Sequence, residues 1–314
     1  MKRDRALAYV AFGIVCIVWG TTYLGIRIAI ETIPPLLMTG IRYTAAGTIM
    51  LIIALARGER IPRDRNTLFN LALVGLLMAG VGNLSVVIAE QWVPSGIAAL
   101  FVATAPFWAN LLEWMRGNTQ DIDRRSGIGM LVGFVGVAML VMPGATAGGH
   151  FDKHFLLGAL LIQIGCIGWQ YGTMRSKYFV RNVPLFTASA VEMLIGGIVI
   201  DIVGVSIGEL PRLAFTPRTL GALAYLSVFG SVIAFSSYIY AASHISTPRL
   251  ALYSYVNPAV AVVLGWLVLN EQLTPVSIAA MVIILGGVAL VQTAKMKRRS
   301  LPTSPGITAQ KTAA

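Results

Sequence analysis

The chain has 314 residues, of which 56% are hydrophobic and only 12% are charged, and its mean hydropathy is +0.76. A soluble globular fold carries charge at about a quarter of its positions, so this composition excludes that class. Apolar runs of about 20 residues recur along the chain, each long enough to cross a hydrocarbon core of about 30 Å. We therefore predict an all-α polytopic membrane protein.

Ten apolar runs predict ten transmembrane helices. In chain order they cover residues 7–27, 35–56, 68–88, 95–115, 126–141, 155–174, 184–204, 220–241, 247–269 and 275–293. The first run is too long for a signal peptide and meets no small-residue cleavage site, so we expect it to remain in the protein. Cys16 and Cys166 both fall inside apolar runs, which predicts buried packing residues rather than a disulfide framework.

The net charge of +11 is distributed unevenly across the predicted membrane. Most of the 24 Lys and Arg residues fall in segments on one side, and the other side holds Arg27, Lys153, Arg212 and Arg218. Because basic residues accumulate on the cytoplasmic side of membrane proteins, this bias predicts that both termini are cytoplasmic. The location we expect is the inner (plasma) membrane, and the charge requires no nucleic-acid partner.

The two halves of the chain resemble each other at a separation of about 150 residues. Segment 16–19, Cys-Ile-Val-Trp, matches 166–169, Cys-Ile-Gly-Trp, and Pro106 matches Pro258. Each half contains five predicted spans, and because five is odd the halves enter the membrane in opposite orientations. This predicts the inverted-topology repeat that is typical of secondary transporters.

The repeat divides the chain into four parts: a first repeat at 1–143, a linker at 144–154, a second repeat at 155–294 and a tail at 295–314. The tail is basic and lacks an apolar run, so we expect it to be disordered and cytoplasmic.

Several short motifs together resemble the EamA family of the drug/metabolite transporter superfamily, and in particular its YedA-like branch. The motifs are Trp-Gly-Thr-Thr-Tyr at 19–23, Val-Pro-Ser-Gly-Ile-Ala-Ala at 93–99, Tyr-Val-Asn-Pro at 255–258 and Asn-Glu-Gln-Leu-Thr at 270–274. The resemblance implies ten helices around a central cavity that opens alternately to each side, and export of small metabolites or amphiphilic compounds. One departure is that the first repeat reads Asn-Thr-Gln at 118–120, where many relatives carry the acidic residue that the second repeat has as Glu271.

Mid-span prolines and amides are the first candidates for substrate binding. A proline within a span frees a backbone carbonyl, which then needs a partner in the protein or in a watery cavity. Pro106 and Pro258 occupy equivalent positions, and simple helix kinks are the alternative interpretation. The amides of Asn83, Asn110 and Asn257 are suited to orienting a polar ligand, with interhelical hydrogen bonds as the alternative.

Aromatic residues within the spans form a second group of candidates for binding. Such rings stack on planar or cationic substrates, although core packing is the commoner role. The candidates are Trp19, Tyr23, Trp169, Tyr238 and Tyr253.

Charged residues within spans are costly and mark functional sites. Arg42 and Glu192 occupy equivalent positions after Pro34 and Pro184 in the two repeats. We expect Arg42 to attract an anionic group or to pair with Glu31 or Glu90, and Glu192 to bind a cation or a proton. The alternative is that both side chains extend to the nearby interfaces.

Glu90 and Glu271 are further coupling candidates. Both lie near predicted outer helix ends, where solvation alone is the alternative explanation.

The leading prediction is a secondary active transporter. It exports small metabolites, amino acids or amphiphilic drug-like compounds across the inner membrane by alternating access, coupled to protons or to exchange, and acts as a monomer in the lipid bilayer. The sequence has no phosphate-binding loop and no His-Glu-x-x-His motif, so we expect no catalytic residue, metal or cofactor. A membrane-embedded enzyme and a channel or lipid-handling protein are the alternatives.

Overall fold

The computed structural model describes residues 2–117, 124–141, 153–180, 183–244 and 253–299, and this part of the chain contains helices and no strand. In the first half α1 covers Lys2–Ala29 and α2 covers Pro35–Ala56. Helix α3 comprises Arg65–Gly75, a π-helical stretch at Leu76–Asn83 and Leu84–Ala89. Helix α4 comprises Ser95–Val102 and Ala105–Met115, and α5 covers Arg124–Val141.

The described part of the second half begins with two further helices. Helix α6 covers Lys153–Phe179 and α7 covers Leu185–Ser206. After a short 3₁₀ turn, α8 comprises Pro217–Tyr225, a π-helical stretch at Leu226–Ile233 and Ala234–His244. Helix α9 covers Tyr253–Leu269 and α10 covers Pro275–Arg299. The predicted linker at 144–154 and tail at 295–314 lie largely outside the described residues.

Within the described ranges, seven helices are long and apolar enough to cross a membrane: α1, α2, α3, α4, α6, α7 and α8. The other three of the ten predicted spans contain shorter apolar helical stretches, at Gly127–Leu140, Val256–Leu269 and Pro275–Val291. The helices also expose large apolar side chains, such as Met115 at 71% and Leu131 at 68%. Such exposure suits contact with lipid and would be unfavourable in water.

Proline and glycine set the ends of several helices. Pro34, Pro94 and Pro184 immediately precede the first residues of α2, α4 and α7. Proline favours this position because the first backbone N–H groups of a helix have no partner within it. Gly58 and Gly208 follow the ends of α2 and α7 with φ of 74° and 81°, a left-handed conformation that glycine adopts at low cost.

Two helix pairs make the most extensive contacts between the halves, α2 with α7 and α5 with α10. Gly47 of α2 lies against the backbone of α7, where a Cβ would be 2.7 Å from the Leu194 nitrogen. Gly197 of α7 lies against α2 in the same way, with a Cβ 2.5 Å from the Thr44 nitrogen. Contacts are therefore exchanged between equivalent residues of the two helices, as small residues permit in membrane proteins.

A substitution at this crossing tests how closely α2 and α7 pack. We expect Gly47→Ala to reduce stability by about 1–3 kcal/mol, because the methyl group meets backbone atoms that cannot rotate away. Gly13→Ala is the matched control, since a Cβ on Gly13 meets no atom within 4 Å. Thermal unfolding in detergent measures both, and equal midpoints for the two variants would contradict the close crossing.

Candidate functional site

A cavity of about 220 Å³ lies between the helices and is lined by residues of α1, α2, α3, α4, α6, α7, α8 and α9. The two π-helical stretches both border it, through Ala79, Gly82 and Asn83 in α3 and through Gly230 and Ser231 in α8. Irregular helix of this kind is tolerated at membrane depth where it lines a cavity. The lining includes ten of the predicted site residues: Trp19, Tyr23, Arg42, Asn83, Pro106, Trp169, Glu192, Tyr253, Asn257 and Pro258.

An aromatic cluster forms one wall of the cavity. The Trp19 ring lies 5.3 Å from the ring centroids of both Tyr238 and Tyr253, and the two tyrosine rings meet edge to face at 6.0 Å. Trp19 Nε1 also donates a hydrogen bond of 3.1 Å to the carbonyl of Gly230. Tyr238 is outside the lining and supports the two rings that border the cavity. The wall therefore offers oriented aromatic surface to a ligand.

Arg42 of α2 is a buried cation whose side chain borders the same cavity. Its position in the first half is equivalent to that of Glu192 in the second half. Its Nε donates to Ser231 Oγ at 3.0 Å, and its Nη1 is 3.5 Å from Asn83 Oδ1. In the described part of the chain no carboxylate lies within ion-pairing distance of Arg42. The alternative pairing of Arg42 with Glu31 or Glu90 is not seen. Glu31 pairs with Arg218 at 3.2 Å, and both carboxylate oxygens of Glu90 lack a hydrogen-bond partner among the described residues.

Glu192 of α7 borders the cavity beside α3. Gly75 lies directly against the main chain of Glu192, so a side chain there would collide with it. Ser176 Oγ donates to Glu192 Oε1 at a long 3.4 Å, and the residues described here include no cation that forms an ion pair with this carboxylate. The cavity is therefore bordered by one cation and one anion that are not paired with each other.

The two equivalent prolines have different effects on their helices. Helix α4 is interrupted at Ala103 and Thr104, just before Pro106, whereas α9 continues through Pro258. Beside the interruption, the Phe101 carbonyl accepts from Thr104 Oγ1 at 2.6 Å and from Gln163 Nε2 at 3.4 Å. The Phe101 carbonyl at the interruption is thus satisfied within the protein, as membrane depth requires.

Asn257 connects α9 to α1 beside the cavity. In the amide orientation that satisfies both ends of the side chain, its nitrogen donates to the carbonyls of Cys16 at 2.9 Å and Tyr253 at 3.1 Å. Asn257 is only 8% exposed. Its amide therefore makes an interhelical bond as well as bordering the cavity.

Besides Tyr238, three predicted residues lie away from the cavity lining. Asn110 is buried and its amide nitrogen has no hydrogen-bond partner among the described residues. Glu90 is fully buried with both carboxylate oxygens likewise unpartnered there, and Arg27 Nη1 donates to its main-chain carbonyl. Glu271 accepts hydrogen bonds from the first residues of α4. Its predicted counterpart at 118–120 lies outside the described residues.

Some lining residues were not singled out from the sequence. They include Thr22, Gln170, Ser231 and Cys166, which was expected only to pack. The detectable signal was a polar side chain within an apolar run, as for Gln170 and Ser231. Nothing in the sequence indicated that Ser231 faces Arg42, because the two residues come from different halves.

Comparison with protein families identifies the chain. The EamA-like transporter family matches it twice, over residues 6–142 and 156–293. The chain belongs to this family. The family assignment confirms the predicted resemblance and the prediction that the protein is not an enzyme. The two matched segments also divide the chain near the predicted linker.

Individual relatives extend over most of the chain. It is 39% identical to the Uncharacterized inner membrane transporter YedA of Escherichia coli (strain K12), over 89% of this chain and 88% of that protein. It is 26% identical to Protein PecM of Dickeya dadantii, over 92% of this chain and 93% of that protein. A solved crystal structure that is 22% identical matches with a TM-score of 0.68, covering 93% of this chain and 99% of that one. This last match supports the fold alone.

Ser231 provides a test of the buried arginine site. Ser231→Ala removes the acceptor of Arg42 Nε, and we expect a loss of about 1–3 kcal/mol because a buried donor is left unpaired. Ser227→Ala is the control: Ser227 is equally buried in the same π-helical stretch, but its hydroxyl donates to the Leu223 carbonyl of its own helix.

Thermal unfolding of the two serine variants measures the difference. We expect Ser227→Ala to lose less than about 1 kcal/mol, since that carbonyl keeps its helical environment. A larger loss in Ser227→Ala than in Ser231→Ala would contradict the assigned role of Ser231.

Proposed function

We propose that this protein is a secondary active transporter that exports small organic solutes across the inner membrane by alternating access. The proposal is supported by a cavity that both halves border, with the charged groups of Arg42 and Glu192 facing it without an ion-pair partner among the described residues. Unpaired charges at membrane depth are costly, and a substrate or a coupling ion that neutralises them explains their presence. The family membership and the relatives' names as transporters support the same class.

The proposed architecture is ten transmembrane helices in two inverted repeats around this cavity, with both termini cytoplasmic. Three observations support it. The family matches the chain twice, the π-helical stretches occur at equivalent positions in α3 and α8, and Gly47 and Gly197 exchange equivalent contacts. The distribution of basic residues supports the orientation. YedA of E. coli is named as an inner membrane transporter, which supports that location here.

The residues around the cavity have proposed roles in binding. Arg42 binds an anionic group, and Glu192 binds a cationic group or a proton. Trp19, Trp169 and Tyr253 contact the apolar body of the substrate, with Tyr23 and Tyr238 in support. The volume of about 220 Å³ is below the ~300–1,000 Å³ of drug-sized sites, which favours small metabolites over large amphiphiles.

The remaining candidates have proposed roles nearer the edges of the cavity. Asn83 and Asn257 orient polar groups, and the interrupted helix at Pro106 together with Pro258 presents backbone groups to the substrate. Asn110 and Glu90 lie behind the lining, where Glu90 is a candidate for proton coupling. Coupling to protons or to exchange is proposed for the monomer.

The conformation supports alternating access. Toward the proposed outer side, α1, α2, α3 and α8 pack an apolar cluster that includes the fully buried Ala29, Ile33 and Val87. The lining itself extends to Gly75, Gln170 and Tyr253 on the proposed cytoplasmic side. We therefore propose that the structure represents a state closed toward the outside.

A transport assay tests the two charges directly. Cells expressing the intact chain are challenged with a panel of amino acids, other small metabolites and cationic compounds, and efflux from preloaded cells is measured for compounds with altered tolerance. We expect Arg42→Ala and Glu192→Gln each to lower efflux about tenfold or more, because each removes a charge-assisted contact. Arg63→Ala is the control, since Arg63 is exposed in the loop after α2.

Other outcomes of this assay would contradict the charged site or the transporter function. Efflux unchanged in both variants would remove the charged residues from the site. Chemical conversion of a solute would favour the membrane-embedded enzyme, and unsaturable ion conductance would favour the channel. No protein-dependent efflux of any compound would contradict the transporter.

A further inference from the structure

Three glutamates away from the cavity share one local structure. In each case a helix ends, the next residues include one in the left-handed conformation, and a glutamate follows directly. The left-handed residues are Gly58, Gly208 and Asn270, with φ of 74°, 81° and 54°, and the glutamates are Glu59, Glu209 and Glu271. This conformation turns the chain sharply at the helix end. The glutamate side chain therefore points toward a neighbouring helix rather than continuing the axis.

Glu59 and Glu209 join α2 and α7 at both ends. Glu59 Oε2 accepts from the backbone nitrogen of Thr187 at 3.0 Å and from its hydroxyl at 2.8 Å, at the start of α7. Glu209 Oε2 accepts from the backbone nitrogen of Leu37 at 2.9 Å, at the start of α2. The two bonds are equivalent under the repeat. Together with the glycine crossing, they hold α2 and α7 as one unit.

Glu271 joins the end of α9 to the start of α4. Its Oε1 accepts from the backbone nitrogen of Ser95 at 2.7 Å and from the Ser95 hydroxyl at 2.8 Å. Its Oε2 accepts from the backbone nitrogen of Gly96 at 3.0 Å. Gly265 leaves room for this carboxylate, since a Cβ there would collide with Oε2. The first N–H groups of α4 thus depend on an anion supplied by the other half of the chain.

The physical strength of this contact comes from its location. The first backbone N–H groups of a helix lack partners within it, and the helix dipole favours an anion beside them. Ser95 is fully buried, so water reaches its N–H group only if the helices separate. Separation of α9 from the start of α4 therefore requires these three hydrogen bonds to break together.

The sequence that follows α4 has no glutamate at the position equivalent to Glu271. After Gly117, which is also left-handed, the chain continues Asn-Thr-Gln at 118–120, without a carboxylate. Those three residues lie outside the described part of the chain. Carboxylate contacts hold the pair of α2 and α7 at both ends. For α4 and α9, the observed carboxylate contact is at one end, which the proposed topology places on the outside.

We propose that Glu271 is the positioning residue that holds the outer end of the cavity closed. The proposal rests on the alternating access put forward above. It names one contact, in addition to the outer apolar cluster of α1, α2, α3 and α8, that must break for outward opening. Glu59 and Glu209 have a different role, because they hold α2 and α7 together in both states. Glu271 touches no residue of the cavity wall assigned to charge binding, so it acts through the position of α4.

Cysteine accessibility tests the proposal without a known substrate. Cys166 borders the cavity, and Cys16→Ala leaves it as the single native thiol. A Val86→Cys reporter in a background with both native cysteines replaced by alanine gives a second position in the lining. The reaction rate with a membrane-impermeant methanethiosulfonate reagent is measured in right-side-out and inside-out vesicles.

We expect Glu271→Ala to raise the outside reaction rate of both reporters about tenfold or more, because loss of several charge-assisted bonds shifts a two-state equilibrium by at least that factor. Glu271→Gln keeps an acceptor but loses the charge, and we expect an intermediate rate. Glu59→Ala is the matched control, since it also loses one backbone and one hydroxyl donor, here both from Thr187. We expect its outside rate to equal that of the intact chain.

Two results overturn the proposal: outside rates in Glu271→Ala and Glu271→Gln equal to the intact rate, or an equal increase in Glu59→Ala. Thermal midpoints of all variants are measured in parallel. If Glu271→Ala does not fold, the reaction rates of Glu271→Gln decide the outcome. Failure of the underlying transport mechanism looks different. In that case the reporters of the intact chain fail to react from the inside, whatever residue 271 is.

Discussion

The hydrocarbon core of a bilayer supplies no hydrogen-bond partners, and this constraint governs where the chain is allowed to be irregular. Regular helix satisfies its own backbone, so every departure needs a partner nearby. The interruption of α4 and the π-helical stretches of α3 and α8 all border the cavity. Gln163 shows how the first is compensated, since its Oε1 accepts from Trp108 Nε1 while its amide nitrogen donates to the Phe101 carbonyl. The polar groups needed for binding arise where helices deviate.

The same constraint gives the helix ends their importance. Three carboxylates accept hydrogen bonds from the start of a helix in the other half, where water would otherwise be the partner near the membrane edge. They belong to Glu59, Glu209 and Glu271. The α2 and α7 pair combines such bonds with a glycine crossing, so it provides a fixed frame. Helices α4 and α9 carry the equivalent prolines Pro106 and Pro258 beside the cavity. Under the proposed alternating access, α2 and α7 form the fixed pair and α4 and α9 form the pair that separates.

Much of this arrangement could be predicted from the sequence. The length and apolarity of the runs gave the helical membrane class, and paired features such as Trp19 with Trp169 led to ten residues that border one cavity. Other features depend on packing between distant segments. Arg42 was expected to attract an anionic group or to pair with Glu31 or Glu90, and the structure shows its bond to Ser231 of the other half. Glu271 was a coupling candidate with solvation as the alternative, and neither interpretation included its contact with Ser95. Single-sequence patterns carry the periodicity of one helix, not the choice of its neighbours.

We propose that the two halves have opposite orientations around a shared cavity. The side of the membrane on which equivalent loops lie distinguishes this arrangement from a parallel one. Arg60 and Leu210 are equivalent, exposed residues in the loops after α2 and after α7. In a background with both native cysteines replaced, Arg60→Cys and Leu210→Cys are treated separately with an impermeant thiol reagent on intact cells. With the halves inverted, we expect Leu210→Cys to react at once and Arg60→Cys to react only after permeabilisation. Reaction of both from the same side would contradict it.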